Sequence, residues 1–509
     1  MRLTPIGKAL IAAMVLAALG YVVWRNLGGA GLLASNPSPT STPGPTATPA
    51  EPRNPRRIVV GVNDFGGAYP GLVANDGATA GPGSRFTAAG LEVEIRLIRG
   101  SKERLEAFDK GEVDVMLLTL DYFANLAPTY RDKGAPLKAF LMVDWSRGNL
   151  GIVARPDIRS IEGLRDARVA TTRNTPTHYL LLSLLKKSNL TPAEIEKVKT
   201  NLVFATKTPQ AGELFKRGEV EAVAIWEPHL SQAMAGDKGR LLVSTATATN
   251  LVADVLFARE DFVKRHEADL VALSRAWLEG VAALNKDPDA GVKVIARAFS
   301  QPEEEVRAVL GKIKPATFAD NRVFLGLDRE SCPYVSLFNE ASRFWLKEGV
   351  IKEPADARGT RWLGPLEALQ RVYADEKIAE RFEFKAGPRA GVDPLLTKSV
   401  SIYFASGDAL LGPNAKQIVD QFAETLEQLG NTYVRVEGNT DNQGGRAGNV
   451  ALSKKRAAAV VRYLTERHGL DPSRLLSVGN GPDKPVGDNK TEAGREQNRR
   501  TDFAIIPNL

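Results

Sequence analysis

The sequence predicts an α/β protein in which two similar lobes precede a smaller α+β domain. Segments with strand and helix patterns alternate through residues 57–226, an order typical of an open α/β sheet. Residues 108–115 resemble residues 215–222, and in both a helix pattern ends at a glycine and a strand pattern begins at once, which indicates two related lobes. A chain of 509 residues is also too long for a single core.

Short apolar and β-branched runs predict strands at residues 57–62, 91–98, 114–120, 167–172, 201–206 and 221–226. One-sided apolar spacing predicts helices at residues 101–112, 178–187, 261–285, 302–313, 414–429 and 449–468, and another that contains Phe338, Phe344 and Trp345 and ends at Gly349. Ser300 and Glu303 are expected to form a capping box at the helix that begins near residue 302. The repeated Gly-Glu-Val segment has an alternative explanation, which is a favourable helix-to-strand turn used twice.

The N-terminus, residues 1–27, is predicted to be a signal anchor. Arg2 and Lys8 precede an uncharged apolar run over residues 9–24, and Arg25 follows it. Cleavage after Gly20 is the alternative, but it would leave an apolar stub, so we expect the anchor to be retained. Residues 28–56 are rich in Pro, Ser and Thr and are expected to form an extended linker. The expected location is the inner membrane, single-pass, with the bulk of the chain in the periplasm.

Composition excludes several functional classes. The net charge of +7 is modest, and no basic and aromatic residues interleave as nucleic-acid binding would require. Cys332 is the only cysteine, so no internal disulfide and no CxxC pair exist. The four histidines form no HExxH motif, and neither GxSxG nor a P-loop occurs. We therefore expect no catalytic residues, no metal and no cofactor, which indicates a binding protein rather than an enzyme.

Open α/β sheets bind ligands beyond the carboxyl ends of their strands, and the expected cleft residues lie there or in the crossovers between lobes. The expected ligand-binding residues are Asn63, Phe65, Thr119, Asp121, Asp144, Trp145, Thr175, Thr177, Trp226, Glu227, Asn250 and Asp254. Residues 175–177 are compatible either with anion binding at a helix start or with helix capping alone. Trp145 and Trp226 are compatible either with ligand contact or with a position in the core. The acidic members favour a ligand with a positive or hydrogen-bond-donating group.

Three segments carry a family resemblance in this region. GEVDVMLLTLDYFA (111–124), FLMVDWSRGNLGIVARPDIRSIEGLRDARVATT (140–172) and GEVEAVAIWEP (218–228) resemble periplasmic solute-binding proteins of the nitrate, sulfonate and taurine type. The resemblance covers about residues 57–350. It implies a hinged two-lobe periplasmic-binding-protein fold, a small-molecule ligand of anion or organic-acid type, and an ABC permease as a possible partner. Residues 351–398 are expected to be a connector, with a helix over residues 366–381.

The C-terminal region places two opposite charges near one loop. A strand pattern from Val434 runs into a loop that holds Asp441, and Arg456 follows about one turn into the next helix. Aspartate offers acceptors for an ammonium group and arginine offers a fork for a carboxylate, so the pair suits a zwitterionic amino-acid end. The alternative is an ordinary Asp441–Arg456 ion pair or an Asx turn.

The segments EGNTDNQG (437–444), NVALSKKRAAAVVRYL (449–464) and NKTEAGREQNRR (489–500) resemble the OmpA-like peptidoglycan-binding domain, over residues 399–509. The resemblance implies that Asp441 and Arg456 hold the free end of meso-diaminopimelate in the wall peptide, with Thr440 and Asn449 beside them. Asn439 is a departure, because the family usually has His there. The last strand of this domain is expected at residues 501–505.

Three functional classes follow. The leading one is a membrane-anchored periplasmic solute-binding protein attached to peptidoglycan, which acts in ABC-type uptake or in sensing. The second is an envelope tether with a vestigial cleft. The third is an enzyme, because the two-lobe fold also resembles pyrimidine-precursor synthases, although secretion argues against it. An ion-driven stator is excluded because residues 9–24 contain no Asp, Glu, His, Lys or Arg that could relay protons.

Overall fold

The computed structural model describes residues 57–236, 238–328, 332–378, 382–385, 392–402, 404 and 408–508. The predicted signal anchor and linker, residues 1–56, lie outside the described residues. Within the ranges given, no helix combines the length and the apolar composition that a membrane crossing needs.

The strands are β1 (Arg57–Val62), β2 (Glu92–Leu97), β3 (Val115–Thr119), β4 (Leu137–Ser146), β5 (Leu150–Ala154), β6 (Val169–Thr172), β7 (Leu202–Ala205), β8 (Ala222–Trp226), β9 (Arg240–Ser244), β10 (Ala253–Arg259), β11 (Ile313–Pro315), β12 (Leu396–Val400), β13 (Thr432–Asn439), β14 (Leu475–Gly481) and β15 (Thr501–Pro507).

The helices are α1 (Tyr69–Asn75), α2 (Arg85–Ala88), α3 (Ser101–Asp109), α4 (Leu120–Asp132), α5 (Pro176–Lys187), α6 (Pro192–Thr200), α7 (Thr208–Lys216), α8 (His229–Met234), α9 (Glu260–Arg265), α10 (Glu267–Lys286), α11 (Pro288–Phe299), α12 (Glu303–Leu310), α13 (Phe318–Leu325), α14 (Pro333–Lys347), α15 (Gly364–Leu369), α16 (Pro413–Gln428), α17 (Arg446–His468) and α18 (Glu492–Asn498).

Three sheets organise these elements. The first has the order β11-β4-β10-β3-β1-β2, the second β7-β6-β8-β5-β9, and the third β12-β15-β13-β14. In the first sheet β1 runs parallel to β2 and β3, whereas β10 runs antiparallel to β3 and β4. In the second, β6 runs parallel to β7 and β8, and β5 is antiparallel to β8 and β9. The predicted two-lobe α/β fold with a third, α+β unit is therefore confirmed.

The two lobes repeat one structural device. The α3–β3 and α7–β8 turns both pass through a glycine with positive φ, Gly111 (70°) and Gly218 (73°), a conformation that glycine adopts without steric cost. Just after each turn a carboxylate accepts a backbone N–H from the neighbouring strand or from the residue that directly precedes it. Asp114 accepts from Val59 at 2.9 Å, and Glu221 accepts from Arg168 at 2.8 Å. The repeated sequence segment thus corresponds to the same turn in both lobes, with the same carboxylate-to-backbone hydrogen bond after it.

Two crossovers join the lobes. The chain leaves the first sheet after β4, enters the second at β5, and returns between β9 and β10. The Ser146 and Thr245 hydroxyls lie 2.8 Å apart and link the two crossovers. The second crossover also contacts the C-terminal domain, because the Asn431 amide donates to the Ala246 carbonyl at 3.1 Å. Two adjacent crossovers are the connection expected of a hinged two-lobe protein.

Several element predictions were wrong. The helix expected over 261–285 is two helices, because His266 leaves helical geometry (φ −128°, ψ 30°) between α9 and α10. The capping box at Ser300 is absent: Ser300 closes α11 in the left-handed region (φ 52°), and α12 begins after Pro302, whose ring disfavours helical geometry at the preceding residue. The helix expected over 366–381 ends at Leu369, and the described residues that follow, 370–378, form turns and irregular structure.

Candidate functional site

The candidate cleft begins where β1 and β3 end. Asn63 and Phe65 follow β1 and are both half-buried, and the Asn63 side-chain oxygen accepts the Phe65 N–H at 3.3 Å. Thr119 is the last residue of β3 and precedes the first residue of α4. These side chains lie at the carboxyl edge of the first sheet, as predicted.

Three carboxylates lie along this edge. Asp144 on β4 pairs with Asp254 on β10, and Asp254 also pairs with Thr119 on β3, so these residues form a row across three strands. Asp121 lies in the first turn of α4, two residues after Thr119. The exposed fractions of Asp121, Asp144 and Asp254 are 3%, 0% and 3%. We call these three residues the acidic row.

The acidic row is tightly enclosed. A Cβ atom built on Gly67 would lie 3.1 Å from Oδ2 of Asp254 and 3.3 Å from Oδ2 of Asp144, so both carboxyl groups converge on that glycine. Neither side-chain oxygen of Asp121 or of Asp144 has a hydrogen-bond partner of acceptable geometry among the described residues.

Burial raises the pKa of all three carboxyl groups. The pKa of Asp121 rises to about 7 through burial, to which the charge of Asp254 adds. Burial also raises the pKa of Asp254 to about 7. The pKa of Asp144 is raised well above its ordinary value by burial and by the neighbouring Asp254. These groups therefore hold protons more tightly than solvent-exposed aspartates do.

The second lobe faces the cleft with the start of α5. Thr175 precedes the helix and its hydroxyl donates to the Thr172 carbonyl at 2.7 Å. The buried Thr177 hydroxyl lies 3.0 Å from that of Thr175 and 3.3 Å from that of Thr171. The His178 Nδ1 atom accepts the Asn174 N–H at 3.3 Å, and burial lowers the pKa of His178 to about 4. A network of hydroxyl groups with a neutral histidine thus lines this helix start.

Trp226 and Glu227 lie at the end of β8, and both are half-buried. The Glu227 carboxylate accepts the Ser231 N–H at 3.0 Å and its hydroxyl at 2.8 Å. It also forms an ion pair with Lys312, which lies between α12 and β11 in the first lobe. Glu227 therefore connects the lobes at the rim of the cleft.

Two of the expected ligand-binding residues point elsewhere. Trp145 packs edge-on against Phe324 of α13 at 5.3 Å. The Asn250 amide nitrogen donates to the Glu427 carbonyl at 2.9 Å, and its backbone N–H donates to the Gln428 carbonyl at 3.1 Å. Trp145 thus faces the core of the first lobe, and Asn250 faces the C-terminal domain.

Helix α14 supplies contacts that the sequence did not predict. The Trp345 indole donates to the Asp121 carbonyl at 2.7 Å. Glu340 pairs with the buried Lys187 of α5 and accepts hydrogen bonds from the Ser183 hydroxyl at 2.9 Å and from the Gln428 amide at 3.1 Å. One helix therefore contacts both lobes and α16 of the C-terminal domain.

The second candidate site lies between β13 and α17. Asp441 is buried, and its Oδ2 lies 2.7 Å from Nη1 of Arg499, whereas its Oδ1 accepts the Gln443 N–H at 3.1 Å. The Asn449 amide donates to the Gln443 carbonyl at 2.8 Å, and the Thr440 hydroxyl donates to the Asp441 carbonyl at 2.8 Å. Three of the four residues expected here, Thr440, Asp441 and Asn449, thus share one loop and helix start, and Arg456 does not.

Arg456 lies close to this loop but contacts other groups. Its Nε donates to the Asp408 carbonyl at 2.9 Å, and its guanidinium lies 4.8 Å from the Phe404 ring centre. Burial lowers the pKa of Arg456, and the charges of Asp408 and Asp441 act against that shift. The direct ion-pair partner of Asp441 is Arg499, a residue inside the NKTEAGREQNRR segment to which the sequence assigned no role.

Asn439, the departure from the family pattern, is also accounted for. Its amide donates to the Asp502 carboxylate at 2.9 Å, and its oxygen accepts from the Asn480 amide at 3.0 Å. The residue is 4% exposed, so its polar groups are satisfied inside the sheet.

Residues 403–499 match the model of the OmpA family. The chain is 34% identical over 136 residues to the putative lipoprotein YfiB of Escherichia coli, which is 27% of this chain and 84% of that protein. The chain belongs to the OmpA family. Its OmpA domain is 39% identical over 103 residues to the peptidoglycan-associated lipoprotein of Pseudomonas putida, which is 20% of this chain and 61% of that protein.

Another curated relative matches a similar length of the chain. The chain is 34% identical over 122 residues to outer membrane protein A of Bordetella avium, and the aligned segment is 23% of this chain and 62% of that protein. This chain thus spans less than two thirds of the length of the first curated relatives that it matches. Residues 85–291 match a second family model, which is described as NMT1/THI5 like.

A solved structure also aligns with the two-lobe region. The periplasmic aliphatic sulphonate binding protein SsuA of Escherichia coli is 16% identical, with a TM-score of 0.47, over 63% of this chain and all of that one.

Proposed function

We propose that this protein binds a small molecule between its two lobes and attaches non-covalently to peptidoglycan through its OmpA domain. The observation that carries the wall-binding half is the placement of Asp441 beside both Arg499 and Arg456 at one loop. The aspartate carboxylate can accept hydrogen bonds from the ammonium group of a free amino-acid end, and the neighbouring guanidinium groups can donate to the carboxylate of that end. The diaminopimelate of the wall peptide has such an end.

The cleft half rests on the buried polar groups that both lobes contain. The acidic row comes from the first lobe, and the hydroxyl network of α5 from the second. Two crossovers allow such lobes to close on a ligand, and the Glu227–Lys312 pair bridges them at the rim. This arrangement favours a solute-binding protein over an enzyme.

Two measurements on the purified full-length chain test the two halves separately. Sedimentation with insoluble diaminopimelate-type peptidoglycan should retain the protein. A screen of small molecules by thermal melting should find a ligand that raises the melting temperature, because a ligand that binds only the folded state stabilises it. Retention on the wall without any stabilising ligand would contradict the cleft half and favour an envelope tether with a vestigial cleft.

The membrane anchor and the transport role belong to the same proposal. We expect residues 1–27 to remain attached and to hold the chain in the inner membrane, with an ABC permease as the partner for uptake. N-terminal sequencing of protein extracted from membranes should find the original start. A chain that begins at Tyr21 would contradict a retained anchor.

A further inference from the structure

The acidic row brings together three carboxyl groups, and the side-chain oxygens of Asp121 and Asp144 have no hydrogen-bond partner among the described residues. Asp144 and Asp254 lie directly opposite each other on antiparallel strands, where like charges destabilise a sheet. Arg104 is the buried cation whose charge acts on Asp254, but its Nη1 donates to the Ile98 carbonyl instead of a carboxylate. A buried carboxylate without a partner is costly, so this row favours occupation by a complementary group.

A second buried polar group, in the other lobe, packs against the helix that contacts Asp121. Tyr179 of α5 is 1% exposed, and its hydroxyl has no hydrogen-bond partner in the part of the chain that the structure describes. Its ring centre lies 6.4 Å from that of Trp345, whose indole donates to the Asp121 carbonyl at 2.7 Å. Asp121 also contributes to the raised pKa of Tyr179, after burial and Glu340. A buried hydroxyl without a partner, close enough to Asp121 for that charge to act on it, supports a ligand that reaches both lobes.

We propose that the cleft takes an organic cation, whose N–H groups are accepted by Asp144, Asp254 and Asp121 and which the Tyr179 hydroxyl contacts from the second lobe. This inference rests on the proposed solute-binding function and narrows its ligand class. An ammonium, guanidinium or amidinium group supplies both the positive charge and several donors.

Two other ligand classes fit the row less well. A metal ion needs several side chains arranged around one point, and no set of three or more His, Cys, Asp or Glu side chains is so placed among the described residues. A bound cation stabilises the ionised form of these carboxyl groups, whereas an anion is repelled by each of them that is ionised. The row therefore selects against the negatively charged end of a ligand.

The test compares matched ligand pairs on the purified full-length chain. The panel contains amines and amidines of increasing size, such as putrescine and benzamidine, each with a neutral isostere, such as 1,4-butanediol and benzamide. Methanesulfonate represents the anions. We expect at least one cationic member to raise the melting temperature and to give saturable heat in calorimetry, and its neutral isostere to give neither. The proposal is overturned if no cation exceeds its isostere.

Two variants locate the effect. Asp144→Asn with Asp254→Asn keeps the shape of the row and removes its charge, so affinity for the cation should fall at least about tenfold, the effect of losing one charged hydrogen bond. Without ligand, and at a pH above 7, this variant should melt at or above the wild-type temperature, because the repulsion between two ionised carboxylates is removed. Asp64→Asn is the control, since Asp64 also follows β1 but pairs on the surface with Arg99 at 3.0 Å. Equal affinity in all three proteins would overturn the assignment.

The anion arm separates this inference from the proposed function. Stabilisation by methanesulfonate and by no cation would overturn the cationic ligand and leave solute binding intact. Stabilisation by neither class would count against both.

Discussion

Replacement of Asp441 by alanine separates wall binding from stability at the OmpA domain. In the folded protein Asp441 pairs with Arg499, whose side chain is 40% exposed and also contacts Glu492 at 2.8 Å. An ion pair with such an exposed partner contributes about 0–1 kcal/mol, so the variant should lose little stability. Loss of one partner of a charged recognition pair costs about 2–5 kcal/mol of binding. That corresponds to a loss on the order of 30-fold to several thousand-fold in affinity for the wall.

The assay for this prediction is sedimentation with purified diaminopimelate-type peptidoglycan, alongside thermal melting of the same samples. Asp483→Ala is the matched control. Asp483 forms an ion pair with Arg446 in the first turn of α17, yet it is not expected to contact the wall peptide. Asp441→Ala should lose retention with a nearly unchanged melting temperature, and Asp483→Ala should keep both. If Asp441→Ala melts several degrees lower and its folded fraction still sediments with the wall, the pair is structural and the argument fails.

Three more predictions follow. Glu340→Ala leaves the buried Lys187 charge without its partner and should lower the free energy of unfolding, measured in urea, by about 3–5 kcal/mol. The double variant Glu340→Leu, Lys187→Met should have a free energy of unfolding near that of the wild type. Equal losses in the two variants would contradict this prediction. Folding raises the pKa of Asp254 to about 7, so this group takes up protons on folding. Its contribution to stability is therefore greatest at low pH and is lost as the pH rises from about 4 to about 7. Asp254→Asn should flatten that part of the profile of unfolding free energy against pH, and an unchanged slope would contradict this prediction. Glu227→Gln removes the charge that pairs with Lys312 across the lobes and should increase the radius of gyration in small-angle scattering without ligand, whereas an identical radius would show that the pair does not hold the cleft closed.

Much of the fold was predictable because local patterns determine it. The run RIVVGV predicts β1 with its bounds, Arg57–Val62, since four of its six residues are β-branched and such residues favour strands. The repeated helix–glycine–strand segment predicted the two lobes because a positive-φ glycine fixes the turn wherever it occurs. Strands β4 and β10 were missed, and Asp144 was therefore placed in a crossover although it lies in the first sheet.

The sites were less predictable because their partners are distant in sequence. Asp144 and Asp254 meet only through the antiparallel register of β4 and β10, which no local pattern reveals. Arg499 reaches Asp441 from a segment that the family resemblance included, but its spacing does not indicate the contact. Asn250 contacts the OmpA domain, and no property of either domain alone predicts how the two pack.

The most direct test of the central claim is competition for the wall. Full-length protein bound to diaminopimelate-type peptidoglycan should be released by soluble meso-diaminopimelate, because the free amino acid offers the same ammonium and carboxylate to Asp441 and the neighbouring arginines. Lysine-type peptidoglycan, whose side chain lacks that carboxylate, should retain the protein weakly. Equal retention on both walls, with no release by the free amino acid, would contradict the account.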